Sequence, residues 1–292
     1  MKKIWFIIIL LSLAACHKDE LSDKSIFSDE QAVKTDFDRW LDRNYVDPYN
    51  IRFEYRMPDN ETGFSYWVTP PDVEKAIKVA KVVKHLSLEC MVEMMADDNP
   101  DRDPALFVKK YFPRVLFLVG CYHISNTGSV ALASAENGLQ INILGVNFFD
   151  DPVVDGLQIS GTMVHEFMHI LHAAAQVPVE FHSITESKYV GSTYTNLGGD
   201  YHQHGFVNNY ARSSIGEDVA VTGAALICET DATWEKWYAA GGEEGGAILR
   251  KKHDLLKKWL YDSFGVDSDR WREVYLRRVG EINDIDWTNL ED

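Results

Sequence analysis

The chain has 292 residues, of which 46% are hydrophobic and 12% are aromatic, so it can bury one large core or two modest ones. Acidic residues outnumber basic residues by 45 to 29, which gives a formal net charge of -16. Binding driven by electrostatic attraction to nucleic acid or to an anionic membrane surface is therefore set aside, and no nucleic-acid partner is expected.

The N-terminus predicts a signal peptide and a lipid anchor. Lys2 and Lys3 precede an apolar run over residues 4–13, which is too short to span a bilayer permanently. The stretch "LAAC", which ends at Cys16, resembles a bacterial lipobox, in which the signal is cut before a cysteine that is then lipidated. We expect a signal peptide over residues 1–15, lipidation of Cys16 and a polar tether over residues 16–30. An ordinary signal peptide with a chance cysteine is the alternative.

The residues after Cys16 bear on the location of the protein. Lys18, Asp19 and Glu20 resemble the lysine-plus-acids signal with which some Gram-negative bacteria export lipoproteins to the cell surface. We therefore expect a lipid-anchored protein of the outer membrane, exposed at the cell surface. A solvated tether of no special meaning is the alternative interpretation of these three residues.

A small sheet is predicted in the first half of the chain. From Ile51, "IRFEYR" alternates apolar and charged residues, as a half-buried strand does, and a helix is expected after the capping residue Asp72. The apolar run "RVLFLVGCY" from Arg114 predicts a buried strand. Asn137 and Gly138, between two apolar-rich runs, are the strongest hairpin signal in the chain.

The second half is predicted to be mostly helical. A helix of about eighteen residues, ended by Pro178, carries the stretch "TMVHEFMHILHA". A loop-like stretch covers residues 181–209, helix returns with "SSIGEDVAVTGAALICETDATWEKW", and a helical C-terminal part begins at about residue 241. Cys90, Cys121 and Cys228 form an odd set without CxxC spacing, so buried thiols are expected and one disulfide is the alternative.

His165, Glu166 and His169 form the pattern H-E-x-x-H within the predicted helix. Residues four apart on a helix lie about one turn apart on one face, so both imidazoles can reach one cation. Glu166 is then placed to take a proton from a metal-bound water whose pKa the ion lowers. A buried histidine-rich helix without a metal is the alternative, but the burial of these polar groups would then be costly.

A catalytic zinc ion keeps three protein ligands, so a third is needed. His172 stands where the metzincin pattern has glycine, which excludes that class, and we expect His172 to line the site without binding zinc. His182, His202 and His204 in the loop-like stretch are possible ligands. Glu217, on the next predicted helix, is the better candidate.

The pairing of "HEFMH" with "GFVNNYARSSIGEDVA" resembles the gluzincin-type zinc metallopeptidase lipoproteins found beside SusD-like polysaccharide-uptake proteins, and more distantly the anthrax lethal factor catalytic domain. "DPYNIRFEYR" resembles a recurring opening of the same lipoprotein family. The resemblance implies an α+β zincin-like metallopeptidase domain over residues 31–292, with a small mixed sheet, an active-site helix and a helical C-terminal part. It implies Zn2+ held by His165, His169 and Glu217, with Glu166 as general base.

The resemblance also implies that the Tyr210 hydroxyl donates to the tetrahedral oxyanion; a buried structural tyrosine is the alternative. One departure concerns Val221, because gluzincins usually have there an acid that hydrogen-bonds a metal-binding histidine. Asp218 is the candidate substitute, although it faces about 100° away from Glu217 on a helix. The departure puts turnover in doubt more than zinc binding.

The expected function is zinc-dependent hydrolysis of peptide bonds in a peptide or glycoprotein substrate by a lipid-anchored surface enzyme. The strands within residues 114–146 are expected to provide an edge along which an extended substrate pairs. The alternative is a non-catalytic, zinc-containing accessory lipoprotein of an outer-membrane glycan or glycoprotein uptake system, with SusD-like partners. A zinc hydrolase acting on a non-peptide bond is a third possibility.

Overall fold

The computed structural model describes residues 33–56, 68–97, 99, 101–124, 130–136 and 138–291. The predicted signal peptide, Cys16, the tether and Asn137 lie outside the described residues. The chain divides into two units, Met1–Thr35 and Asp36–Asp292, and the second contains all the elements described below.

Helices make up most of the second unit. They are α1 (Asp36–Leu41), α2 (Asp47–Tyr49), α3 (Val73–Val83), α4 (Glu89–Met95), α5 (Leu106–Tyr111), α6 (Val154–Ala174), α7 (Val179–Ser183), α8 (Ile215–Cys228), α9 (Asp231–Phe264) and α10 (Ser268–Gly280). Short 3-10 turns at Gly191–Asn196, Tyr201–His204 and Tyr210–Arg212 lie within and just after the stretch predicted to be loop-like. No helix among the described residues is both long and apolar enough to cross a membrane.

The strands form one small mixed sheet and one short hairpin. They are β1 (Arg52–Glu54), β2 (Val115–Leu118), β3 (His123–Ile124), β4 (Val130–Ala131), β5 (Ala133–Glu136) and β6 (Gln140–Ile143). The sheet has the order β1-β2-β6-β5, in which β1, β2 and β6 are parallel and β5 pairs antiparallel with β6. The α+β prediction with a small mixed sheet is confirmed.

The hairpin between β5 and β6 follows from its connecting residues. Glu136 pairs with Gln140 in the register of the two strands, and Gly138 between them has a φ of 69°. That left-handed conformation suits glycine, which has no Cβ to clash. Because β6 also pairs with β2, β5 forms one edge of the four-stranded sheet.

The helix that carries the histidines is α6, and it ends earlier than Pro178. Ala175 is already extended, with φ -147° and ψ 125°, and its carbonyl accepts a hydrogen bond from the indole of Trp259 at 3.1 Å. The helix therefore ends at Ala174, four residues before the proline.

The long helix α9 is interrupted where the C-terminal part was predicted to begin. Gly242 has φ 66° and ψ -157°, which breaks the helical geometry at that point. Gly245, a few residues later, approaches the backbone of the Tyr201–His204 turn so closely that a Cβ there would lie 2.2 Å from a carbonyl oxygen of that turn. The glycines of this segment therefore let α9 pack directly on the turn.

The three described cysteines are free thiols in the structure. Cys90 is buried, whereas Cys121 and Cys228 are half-buried. The expectation of a buried thiol is therefore confirmed for Cys90 and not for the other two.

Candidate metal centre and its cavity

Helix α6 is fixed by an apolar face that packs in the core. Its buried apolar residues are Met163, Val164, Phe167, Met168 and Leu171. The ring of Phe167 lies 5.4 Å from Phe112, 5.7 Å from Phe107 and 6.3 Å from Trp271, centroid to centroid. Such burial is the main source of helix stability in proteins, and here it sets the rotation of α6.

Helix α8 begins with a capped turn that carries the predicted third ligand. The Ser214 hydroxyl accepts a hydrogen bond from the backbone N–H of Glu217 at 3.2 Å, which satisfies one of the free amides at the helix start. A carboxylate in the first turn is also stabilised by the helix dipole. Gly223 lets α8 approach α6, because a Cβ there would lie 2.8 Å from the Met168 side chain.

The two helices bring three donor atoms together at nearly equal distances. The Nε2 atoms of His165 and His169 lie 3.2 Å apart, and Oε2 of Glu217 lies 3.3 Å from the first and 3.4 Å from the second. Tetrahedral ligands with bonds of about 2.0–2.1 Å to zinc lie about 3.3–3.4 Å apart, so the triangle matches the face of a zinc coordination sphere.

The polar contacts within the triangle also fit a metal ion. Oε2 of Glu217 is buried and takes no hydrogen bond of normal geometry among the described residues, because its imidazole neighbours are at the long end of the range. The side chains of His165, His169 and Glu217 are 16%, 28% and 23% exposed, so an ion can enter from solvent. His165, His169 and Glu217 are thus a donor set that fits zinc.

Opposing effects act on the ionisation of these groups. Burial raises the pKa of Glu217, but the adjacent imidazoles of His165 and His169 lower it more, so the net pKa lies well below the usual range. For His169, burial lowers the pKa, while Glu217 and Glu166 raise it, and the net shift is upward. Glu217 is therefore ionised at neutral pH, as a metal ligand must be.

Glu166 and Tyr210 lie beside the triangle. Glu166 is only 9% exposed and lines the same cavity as His165 and Tyr210. The Tyr210 ring is stacked 6.0 Å from that of His165. Burial, followed by the charge of Glu217 and a hydrogen bond to it, raises the pKa of Tyr210, so its hydroxyl stays protonated at neutral pH.

A cavity of about 850 Å³ opens in front of these residues. Its walls include α6 at Thr162 and His165, α8 at Val221, and β5 at Ala133. Tyr194 also lines it, with its ring 5.3 Å from that of Tyr210. The volume is that of a substrate-binding cleft.

The structure corrects the role expected for Asp218. This residue has no exposed surface, and its carboxylate contacts Lys252 at 2.5 Å, Tyr189 at 2.8 Å and Thr222 at 3.2 Å. Asp218 faces the core because one residue along a helix is a rotation of about 100°. It binds helix α9 rather than a metal-binding histidine.

His172 and Val221 lie outside the ligand triangle. Burial and then the charge of His169 lower the pKa of His172, and the expectation that this residue lines the site stays a prediction. Val221 is 8% exposed and forms part of the cavity wall, where its isopropyl group offers no hydrogen bond.

The histidines of the loop-like stretch have other neighbours. His182 stacks on Tyr189 with centroids 6.1 Å apart, Nδ1 of His202 lies 3.1 Å from the Phe206 carbonyl oxygen, and His204 lies 3.0 Å from Asp200. None of the three joins the cluster formed by the predicted ligands in the described part of the chain.

Two site features were missed in the sequence. The pattern S-x-x-E at Ser214 and Glu217 is a sequence signature of a helix start, and it would have placed the predicted third ligand, Glu217, on the first turn of α8. Tyr194 had no such signal, because its place beside Tyr210 depends on the path of the intervening loop.

Comparisons with known proteins agree with this geometry. The model of a family described as "Putative zinc-binding metallo-peptidase" matches residues 30–269. The chain is also similar to the crystal structure of "a putative zinc-binding metallo-peptidase" from Bacteroides caccae ATCC 43185, with 32% identity, a TM-score of 0.73, and coverage of 91% of this chain and 100% of that one. No curated protein matches. The chain therefore belongs to the family described as "Putative zinc-binding metallo-peptidase".

Proposed function

We propose that this protein is a zinc-dependent peptidase of the gluzincin type, in which His165, His169 and Glu217 hold the ion. The observation that carries the proposal is the triangle of donor atoms, with edges of 3.2, 3.3 and 3.4 Å. One of its residues, His165, lines a cavity of about 850 Å³ that Glu166 also lines. A zinc ion bound there supplies a Lewis acid that lowers the pKa of water and polarises a carbonyl group.

Glu166 is the general base of the proposed reaction. Its carboxylate accepts a proton from the attacking water as the water oxygen bonds to the peptide carbonyl carbon. It then passes that proton to the amide nitrogen as the carbon–nitrogen bond breaks, so one peptide and one water give a carboxylic acid and an amine. Its position supports this role, because Glu166 lines the same cavity as His165, and a general base must lie within reach of the proton that it takes.

Tyr210 is the oxyanion donor of the same reaction. Its hydroxyl remains protonated at neutral pH, since burial and the nearby Glu217 raise its pKa. A phenol held next to the metal ligands donates a hydrogen bond to the carbonyl oxygen as negative charge builds there, and this lowers the barrier.

An extended substrate pairs along strand β5. The strand is an edge of the four-stranded sheet, and Ala133 at its start lines the cavity together with His165 and Glu166. Backbone pairing with an edge strand gives affinity without requiring a particular side chain.

The test is a comparison of the purified full chain with three variants. Elemental analysis is expected to find one zinc per chain in the parent and in Glu166→Gln. When both proteins are incubated with a broad peptide library, only the parent is expected to cleave it. His169→Gln is expected to lose zinc, whereas His172→Gln, a change on the same helix outside the triangle, is expected to retain it. If the parent holds zinc but cleaves no peptide, the non-catalytic accessory function is favoured. If the parent holds no zinc, both the peptidase function and the accessory function are excluded.

We further propose that the protein is lipidated at Cys16 and held at the outer surface of the outer membrane, beside SusD-like uptake proteins. The lipobox-like "LAAC" and the following Lys18, Asp19 and Glu20 support this location. A Cys16→Ser variant is expected to be absent from the detergent phase in which the parent is found. Protease added to intact cells should degrade the parent if the anchor faces outwards, and protection of the parent would place it on the inner face.

A further inference from the structure

The cavity is lined by several turns of both α6 and α8, and we call this part of it the trough. The residues of α8 and its end that line it are Val221, Ala224, Ala225, Cys228 and Glu229. Counted from Val221, the other four residues lie three, four, seven and eight positions further along the chain, so all five share one face of the helix. This face begins one turn after Glu217. Small residues on this face leave room for an extended chain to lie along it.

The wall contributed by α6 has the same character. Leu157, Gln158, Gly161 and Thr162 line the trough and lead to His165. They carry no charge, so a peptide in the trough meets mainly apolar and small polar groups until it reaches Glu229.

Glu229 is a carboxylate for which the described residues provide no counter-ion. It is half-buried in the cavity lining, and it takes part in no ion pair or side-chain hydrogen bond within the described parts of the chain. No lysine or arginine is among the residues described as lining the cavity, whereas Glu166 is a second acid there. A half-buried carboxylate without a partner favours a cation from outside.

A tryptophan on α9 also lines the cavity. Trp234 donates a hydrogen bond from its indole to the Ala225 carbonyl at 3.3 Å, which fixes the corner between α8 and α9 beside Glu229. Trp237, three residues later on α9, lines the cavity. Its ring stacks on that of His202 with centroids 5.6 Å apart, which holds it in place. The face of an indole attracts a cationic side chain, as the Glu229 carboxylate does.

We propose that Glu229 and Trp237 form a specificity subsite that binds a lysine or arginine side chain of the peptide substrate. This inference rests on the proposed peptidase function. Twelve residues of helix separate Glu229 from Glu217, which corresponds to about 18 Å. An extended peptide covers that distance in about five residues, and a long basic side chain shortens it, so the basic residue lies three to five positions from the cleaved bond.

Binding is tested first, in a form that does not depend on turnover. The zinc-loaded full chain carrying Glu166→Gln is titrated with fluorescent dodecapeptides of glycine, alanine and serine in which one position is lysine or glutamine. Lysine at one position is expected to bind about tenfold more tightly than glutamine, the low end for a charge-assisted hydrogen bond. Adding Glu229→Gln is expected to bring this ratio close to one.

Two further variants sharpen the test. Glu243→Gln makes the same chemical change at an exposed glutamate that is absent from the cavity lining, and it is expected to keep the lysine preference. Glu229→Lys is expected to reverse the preference. A further peptide with glutamate at that position should then bind this variant better than the peptide with lysine does. Loss of preference in Glu243→Gln, or its persistence in Glu229→Gln, would overturn the subsite.

Cleavage by the parent then separates the two proposals. Equal kcat/KM for lysine and glutamine peptides, together with equal binding, would remove the subsite and leave the peptidase function intact. A lysine preference in binding that depends on Glu229, without cleavage of any peptide, would leave the subsite and remove the peptidase function. Thermal unfolding of each variant shows that it is folded.

Discussion

Two neighbouring carboxylates at the start of α8 lie in regions of opposite character. Glu217 is partly exposed, faces two histidines across 3.3 and 3.4 Å and has no cationic side chain in the triangle it forms with them. Asp218 is fully buried and is paired with Lys252 at 2.5 Å. The first carboxylate is left for an ion to neutralise, and the second is neutralised within the protein.

The buried pair is completed by its surroundings. Tyr189 and Thr222 donate hydrogen bonds to Asp218, and the Lys252 ammonium lies 4.0 Å from the centre of the Phe206 ring. Burial raises the pKa of Asp218 and lowers that of Lys252, so each needs the other to remain charged. A buried charge in this fold stabilises the structure where other side chains neutralise it. Where they do not, the charge is available for chemistry.

The largest effect is expected from breaking the buried pair. Asp218→Asn leaves Lys252 buried without its carboxylate, and the free energy of unfolding should fall by about 3–5 kcal/mol. Urea unfolding measures this loss. The matched control, Asp262→Asn, removes an exposed partner of Lys258 and should change stability by less than about 1 kcal/mol. Equal losses in the two variants would contradict the structural role of Asp218.

For Glu217, next to Asp218 in the sequence, we expect a loss of zinc affinity and almost no loss of stability. Glu217→Gln removes one proposed zinc ligand, which at about 3–4 kcal/mol per ligand corresponds to a loss of zinc affinity on the order of a thousandfold. The apo form of this variant should unfold at nearly the urea concentration of the apo parent, because no buried partner loses its charge. Competition with a fluorescent chelator measures the affinity, and a variant that binds zinc as the parent does would exclude Glu217 as a ligand.

A somewhat smaller effect is expected for Tyr210, the proposed oxyanion donor. Tyr210→Phe should reduce kcat by about a hundredfold while zinc content is unchanged, because only a hydrogen bond to developing charge is lost. Tyr194→Phe, which removes a hydroxyl from the neighbouring ring in the same cavity, is the control and should reduce kcat by much less. A fall in KM alone for Tyr210→Phe would not fit this role.

The smallest effect concerns a third charged region, where α4 meets α10. Arg278 contacts both Glu89 and Glu93 at 3.0 Å. Burial raises the pKa of each glutamate, but Lys84 and Arg278 lower that of Glu89 more, and Arg277 and Arg278 do the same for Glu93. Stability from lowered carboxyl pKa values is present above the unfolded pKa of about 4.5 and is lost as pH falls through the folded values.

The loss from this cluster should be about 1 kcal/mol, since the Glu93 side chain is 39% exposed and its charge is therefore partly screened by solvent. Urea unfolding between pH 5 and pH 3 measures it, and the variant Glu89→Gln, Glu93→Gln should lose correspondingly less stability than the parent over the same interval. An identical pH dependence in parent and variant would assign the acid sensitivity to other groups.

The parts of the site that depend on local geometry were predictable from the sequence. His165 and His169 are four residues apart on one helix, so their proximity follows from the helix itself. Glu217 needed the resemblance to a known family, because its approach to the histidines depends on the packing of α8 on α6. That packing requires Gly223 against Met168, which no periodicity in the sequence reveals.

Contacts between distant residues explain what was missed. Lys252 follows Asp218 by 34 residues, and nothing in either local sequence pairs them. The sheet was expected, but its order was not, because β6 lies between β2 and β5. Glu229 is an ordinary helix-end acid in the sequence, and only the cavity makes it notable.

The Asp218–Lys252 pair has a consequence for how the protein responds to metal supply. It fastens the first turn of α8 to α9 in the absence of any ion, so the ligands are held in place before zinc arrives. Little of the free energy of zinc binding is then used to order the chain. Zinc scarcity should therefore switch off the activity of existing molecules without exposing them to degradation, and returning zinc should restore that activity without new synthesis.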